Sequence, residues 1–230
     1  MFQVIIIKPL YNALVFLAAV IPGHNIGLAI IILTVVVRTI LIPLQNKMIV
    51  TQRKLKKLEP EIKNIKEKSK NDKQAEAAAI MALYRENKIN PFSGFSLIIV
   101  QIPVFIGLYL VLRNGLSFDP DKIYSFVTFP ERVNNIFAGL NLSEKSYLLA
   151  VMLGISQFIH TKMSISSPIK KEEGKRSFSD DLNQSLHFQM KYIMPVIFAF
   201  VAASLPSAVS LYWLTSSLFS ILYERFMKKV

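Results

Sequence analysis

The sequence predicts an all-α membrane protein: a five-transmembrane-helix bundle with an N-terminal interfacial helix and a cytoplasmic helical hairpin. Three observations lead there. Hydrophobic residues make up 52% of the 230 and mean hydropathy is +0.40, values that separate the chain from ordinary soluble domains. Long apolar runs recur, the first about 20 residues long, which crosses a hydrocarbon core at about 1.5 Å per residue. The basic residues fall in alternate connections: of 27 Lys and Arg, 12 lie in 47–88, six in 162–191 and three in 225–230. The segments 1–24, 113–145 and 204–207 carry only Lys8, Arg113, Lys122, Arg132 and Lys145. Basic connections favour the cytoplasm, so the N-terminus is expected outside, the C-terminus inside and the number of spans odd.

Each element follows in order within one expected domain, 1–230. Residues 9–21 are apolar but stop at Pro22-Gly23, short for a span, and read as an interfacial helix. The first span covers 25–45. Over 50–89 the composition becomes charged, with Leu55, Leu58, Ile62 and Ile65 at heptad-like spacing. Lys70-Asn71-Asp72 breaks that helix, and a second, with Ala75, Ala78, Ala82 and Tyr84 or Arg85 toward the seam, ends before Asn90-Pro91. The pair reads as a basic cytoplasmic hairpin. The second span, 92–112, is polar only at Ser93, Ser96, Gln101 and Tyr109 and contains Pro103, tolerable where neighbours re-satisfy the backbone. After an external loop over 113–145 comes the third span, 147–162. The Ser-rich stretch 164–186 reads as a cytoplasmic loop. Spans four and five, 190–204 and 207–223, are separated by Leu205-Pro206-Ser207 and form a tight hairpin. No internal repeat of the transporter kind is present.

Function classes narrow on the same residues. The formal charge of +12 sits in the cytoplasmic segments, so no direct nucleic-acid recognition is expected. There is no cysteine, hence no disulfide framework or thiolate metal site. His24, His160 and His187 are scattered and no HExxH, GxSxG or Walker pattern occurs, so neither an enzyme, a catalytic residue, a metal site nor a cofactor is expected. The opening residues lack the features of a signal or transit peptide, which favours a retained N-terminus and a bacterial plasma (inner) membrane.

Arg38 stands out inside the first apolar run. A guanidinium in a span costs at least about 2.5–3.5 kcal/mol on insertion scales, so it must snorkel, pair or face water. Gln45 and Lys47 lie seven and nine residues on, roughly 10–13 Å along a helix, and the runs 92–112, 146–161 and 192–223 contain no Asp or Glu. A wet internal cavity, or an anion brought by a ligand, fits best. Thr34, Arg38 and Gln45 share one helix face, although Leu41 interrupts it. The fifth span offers Tyr212, Ser216 and Ser220 on one face with Trp213 and Ser217 beside it, while Gln101, Ser156 and Gln157 come from the second and third spans. For the serines the plain alternative is close helix packing; for Trp213 it is an interfacial belt position.

These residues also carry a resemblance. Pro9-Leu10-Tyr11, Asn25-Ile26-Gly27, Thr34-Val35-Val36-Val37-Arg38 with Pro43-Leu44, Leu58-Glu59-Pro60, Leu83-Tyr84 with Asn90-Pro91, Gln101-Ile102-Pro103-Val104-Phe105, and Pro206-Ser207 with Leu211-Tyr212-Trp213 resemble, in order, the YidC/Oxa1/Alb3 membrane-protein insertases. The resemblance implies a five-span core with a hydrophilic groove open to the cytoplasm and lipid. Its groove arginine falls on Arg38 and its client-contacting aromatic pair on Tyr212 and Trp213; Thr34, Gln101, Phe105 and Gln157 are similar to other groove or slide positions. It further implies nascent membrane proteins and the lipid bilayer as partners, with the Sec translocon and the ribosome as candidates. The chain departs from some members in having no additional N-terminal span with a large periplasmic domain, no lipoprotein signal and no long basic tail after Phe226. Trp213 stands where some members have tyrosine. The competing readings are a small multi-pass solute transporter or channel, disfavoured by the lack of acids in the spans, and an assembly scaffold without insertion activity.

Overall fold

The structure, a computed structural model, describes residues 3–69, 72–90, 96–112, 123–128, 130, 132–164, 185 and 188–227. Nine α-helices occur among them: α1 (Lys8–Val20), α2 (Ile26–Ile40), α3 (Ile42–Lys57), α4 (Glu59–Lys68), α5 (Lys73–Glu86), α6 (Ser96–Leu112), α7 (Tyr147–Ser164), α8 (Met194–Ser204) and α9 (Ser207–Met227). Two short strands, β1 (Ile136–Phe137) and β2 (Leu140–Asn141), pair antiparallel. The chain divides into two compact units, 1–40 with 103–230, and 41–102. The expected loop over 164–186 lies, apart from Ser164 and Ser185, outside the described residues.

In the larger unit, helix begins earlier than the apolar run from Pro9 predicts. A π-helical turn at Gln3–Ile7 leads directly into α1, so Pro9 sits inside a continuous helix and the preceding turn is the wider π form, not the α form that a proline disfavours. Gln3–Val20 is thereby, among the described residues, the one helix that is by itself long and apolar enough to cross a membrane. Helix α2 is shorter than the predicted 25–45. It stops at Ile40, and Pro43 starts α3 in the following turn; the two pass the same length test only together. Arg38 consequently occupies the last turn of α2, where the helix dipole favours a cation. The segments Ile102–Leu112 and Gln189–Ser204 are shorter apolar helices.

Helix α9 is the centre of this unit. It packs on α2 and α7, while α8 lies mainly against α7. The core joins Leu14 and Val15 of α1, Ile26 and Ile30 of α2, Leu112 of α6, Leu142, Leu153 of α7 and Val209 of α9, all at most 2% exposed. At its N-terminal end α9 is fixed by main-chain groups: the Ser207 N–H donates to the Glu144 carbonyl (2.7 Å) and the Ala208 N–H to that of Leu142 (2.9 Å). The Ser207 hydroxyl adds a bond to the Asn141 carbonyl (3.0 Å). The same short hairpin holds the start of α2, where the Ile26 N–H donates to the Asn134 carbonyl (3.0 Å) and the Asn25 side-chain amide to that of Ile136 (2.8 Å). Gly27 permits the approach: a Cβ there would lie 2.4 Å from Cγ of Phe137, closer than any side chain allows.

In the smaller unit, Leu58, Leu83 and Ile89 form a buried cluster bordered by Leu55, Ile62, Ile65 and Tyr84. The heptad-like residues therefore gather in one cluster, although the single helix expected for them is two, α3 and α4, which meet at Leu58. The alanines do not join it: Ala75, Ala78 and Ala82 are exposed, because Leu83 supplies far more apolar area to the seam than a methyl group. Asp72 caps α5, its carboxylate accepting from the Gln74 and Ala75 N–H groups at 3.0 and 2.9 Å, which relieves two otherwise unpaired donors. Partial burial beside this cluster pushes the Tyr84 phenol above its usual range.

Candidate functional site

Two charged side chains are buried among the described residues, Arg38 and Glu224, and both meet the same helix face. Tyr212, Ser216, Ser220 and Glu224 recur every four residues along α9 and are each at most 4% exposed, a polar stripe inside an apolar bundle.

Arg38 reaches this stripe at Ser216. Its Nε donates to the Ser216 hydroxyl oxygen at 2.7 Å, and Nη2 donates to the same oxygen. A guanidinium carries five N–H donors, so these two bonds leave three with no acceptor among the described residues. The partner is moreover a neutral hydroxyl, which forms hydrogen bonds but leaves the positive charge uncompensated. Thr34, 1% exposed, donates its hydroxyl to the Ile30 carbonyl of its own helix at 2.6 Å and keeps lone pairs free to accept.

Beside the stripe lies an aromatic cluster. The Phe105 ring of α6 lies 5.1 Å from Trp213 and 6.3 Å from Tyr212, and Phe198 of α8 meets Trp213 edge-on at 4.9 Å. These separations suit offset and edge-to-face ring contacts. One turn beyond Trp213 the contacts of α9 become polar. There the Ser217 hydroxyl reaches the Gln157 carbonyl oxygen of α7 at 3.5 Å, the long limit of a hydrogen bond. Farther along, the Ser164 hydroxyl donates to Glu224 Oε1 at 2.6 Å, and His160 Nε2 lies 3.2 Å from the same oxygen.

The family described as 60Kd inner membrane protein matches residues 16–230. The chain belongs to this family. Among curated proteins, it is 31% identical over 98% of its length to the "Membrane protein insertase YidC" of Rickettsia typhi, and 29% identical over 97% to that of Citrifermentans bemidjiense. It spans under two fifths of each, 39% and 37%. A protein of the same name from Fusobacterium nucleatum is 32% identical over 89% of this chain, which covers 87% of it.

Arg38, Thr34, Phe105, Gln157, Tyr212 and Trp213 all belong to the larger unit, where Phe105 meets Tyr212 and Trp213, Arg38 meets Ser216, Gln157 meets Ser217 and Thr34 bonds within its own helix. The Gln101 side chain lies outside the described residues. Sequence reasoning places Ser216 on the correct face but not as the partner of Arg38, because nothing local links residues 178 positions apart. Glu224 escapes it altogether, since it follows the last apolar run by one residue and reads as the start of a solvated tail. The four-residue spacing from Tyr212 through Ser216 and Ser220 is the signal that extends to it.

Proposed function

We propose that this protein inserts newly made membrane proteins and helps them fold, working from the bacterial inner membrane as a five-span bundle with its N-terminus outside. A client's apolar segment must carry a short, often acidic, external tail across a barrier of about 30 Å. Arg38 shortens that passage electrostatically. Held by one neutral hydroxyl and retaining three N–H donors, it offers a carboxylate both charge and the paired donors that guanidinium groups present. This is the observation that carries the proposal.

The other residues divide the work. Thr34 and Gln157 offer lone pairs and an amide that keep the groove hydrated. Phe105, Tyr212 and Trp213 give the emerging span a smooth apolar surface toward lipid, and Gln101 lies on the same α6 helix. The helices α4 and α5 form the cytoplasmic hairpin at which partners or anionic lipid dock. Two features of the closed end support opening to one side only: main-chain hydrogen bonds hold α2 and α9 to the β1–β2 hairpin, and buried apolar side chains fill the space beneath.

Reconstitution in liposomes tests this reading. Protease-protected insertion of a single-span client with an acidic tail is expected to exceed that of empty vesicles with the wild-type protein and to fall to the empty-vesicle level with Arg38→Glu. Equal insertion by both proteins would remove Arg38 from the mechanism; no insertion above empty vesicles would remove the insertase reading for the isolated chain.

A further inference from the structure

The contacts of α9 change along its length. At Tyr212 and Trp213 they are rings, from Phe105 of α6 and Phe198 of α8. Toward α7 they are hydrogen bonds that tighten along the helix, from 3.5 Å at Gln157 and Ser217 to 2.6 Å at Ser164 and Glu224. Gln157 meets Ser217, and His160 and Ser164 meet Glu224, so α7 and α9 run parallel and their shared seam ends at the carboxylate. Glu224 is 4% exposed; a carboxylate so buried is strongly destabilising once a partner is removed. Glu224 lies just past the last apolar run and has no part in the mechanism above.

We propose that Glu224 is a positioning residue that clasps the α7–α9 seam, so that a client leaves past the aromatic flank and not between α7 and α9. The proposal rests on the insertase reading for its consequence, but the clasp itself is a property of the resting protein. One carboxylate oxygen gathers a hydroxyl and an imidazole from successive turns of α7, fixing both the spacing and the rotation of α9. That rotation aims Ser216 at Arg38 and Tyr212 with Trp213 at Phe105, since all lie on the same rigid helix. Releasing the clasp opens a second, polar exit between α7 and α9 and misaims the aromatic wall.

Two readouts test it. The chain has no cysteine, so spin labels placed at Ile159 of α7 and Leu222 of α9, which are 43% and 69% exposed, report the seam without background. Glu224→Ala is expected to broaden and lengthen the label distance, Glu224→Gln to do so less because it keeps an acceptor for Ser164, and the swap His160→Glu with Glu224→His to restore it. In liposomes, a client with a photocrosslinker at mid-span is expected to label α6 and α8 with the wild type. Glu224→Ala should raise labelling of α7 at least about tenfold, the shift that loss of one hydrogen bond to a charged group produces. An unchanged label distance in folded Glu224→Ala, or in Glu224→Gln should the alanine variant not fold, overturns the clasp. So does a swap that leaves the seam open. Failure of the wild type to insert any client, with the distances shifting as expected, overturns the insertase reading and leaves the clasp standing.

Discussion

The two ends of α9 meet the rest of the bundle by different means. At Ser207 and Ala208 the partners are main-chain carbonyls of Glu144 and Leu142, and the surroundings are apolar. From Ser216 to Glu224 the partners are side chains, Arg38 of α2 and His160 and Ser164 of α7. Backbone bonds into a short hairpin have no alternative partners and need no water, so the first end is permanent. At the second end the Glu224 bonds hold α9 to α7, while Arg38 is held by a hydroxyl alone, so it is at Arg38 that the proposed function places the work. A protein that moves a polar tail part of the way through a membrane needs this asymmetry, because a second working end would let ions leak.

The comparison can be broken from either side. The largest effect is expected at the working end: Arg38→Glu places an acid where an acidic tail must pass, and insertion should fall at least about tenfold, equivalent to some 1.4 kcal/mol, while thermal unfolding in detergent shifts little. Next is the permanent end. Gly27→Val drives a side chain into Phe137 and should cost about 1–3 kcal/mol of stability, the usual range for overpacking, read as a lower Tm with insertion per folded molecule unchanged. Loss of activity without loss of stability in that variant would show that the hairpin end also works. Trp213→Ala removes the ring contacts with Phe105 and Phe198, and client exit should slow by roughly threefold to tenfold for the 0.5–1.5 kcal/mol that such pairs add beyond area; Trp213→Phe should recover most of it in the same liposome assay. Smallest is Arg38→Lys, which keeps the charge and loses the planar fork. Insertion of an acidic-tail client should drop only about twofold, within one neutral hydrogen bond.

Much of this architecture can be read from the chain, for physical reasons that also mark where reading stops. Arg38 declares itself because a charge in an apolar run is costly wherever the run ends. The boundaries of that run are another matter: Pro43 divides it into α2 and α3, and Pro9 sits inside a continuous helix, since the turn before it is the wider π form. In the smaller unit, Leu55, Leu58, Ile62 and Ile65 reveal their seam by period, whereas the alanines of α5 carry too little apolar area for period to decide their facing. Tyr212, Trp213 and Phe105 are legible through resemblance, and their mutual ring contacts come only with the fold. Ser216 and Glu224 take their meaning from partners 178 and 64 residues away, distances at which local pattern carries no information.

That separation sets an order on how the protein itself is made. Arg38 is made with α2, but the hydroxyl that receives it is synthesised 178 residues later, roughly 10–35 s at ordinary translation rates. Throughout that interval the arginine must be lodged among waters, lipid headgroups or another protein's acceptors. Helix α9 is thus a keystone: until Ser216 is made, the earlier helices stand without the hydroxyl that receives their buried cation.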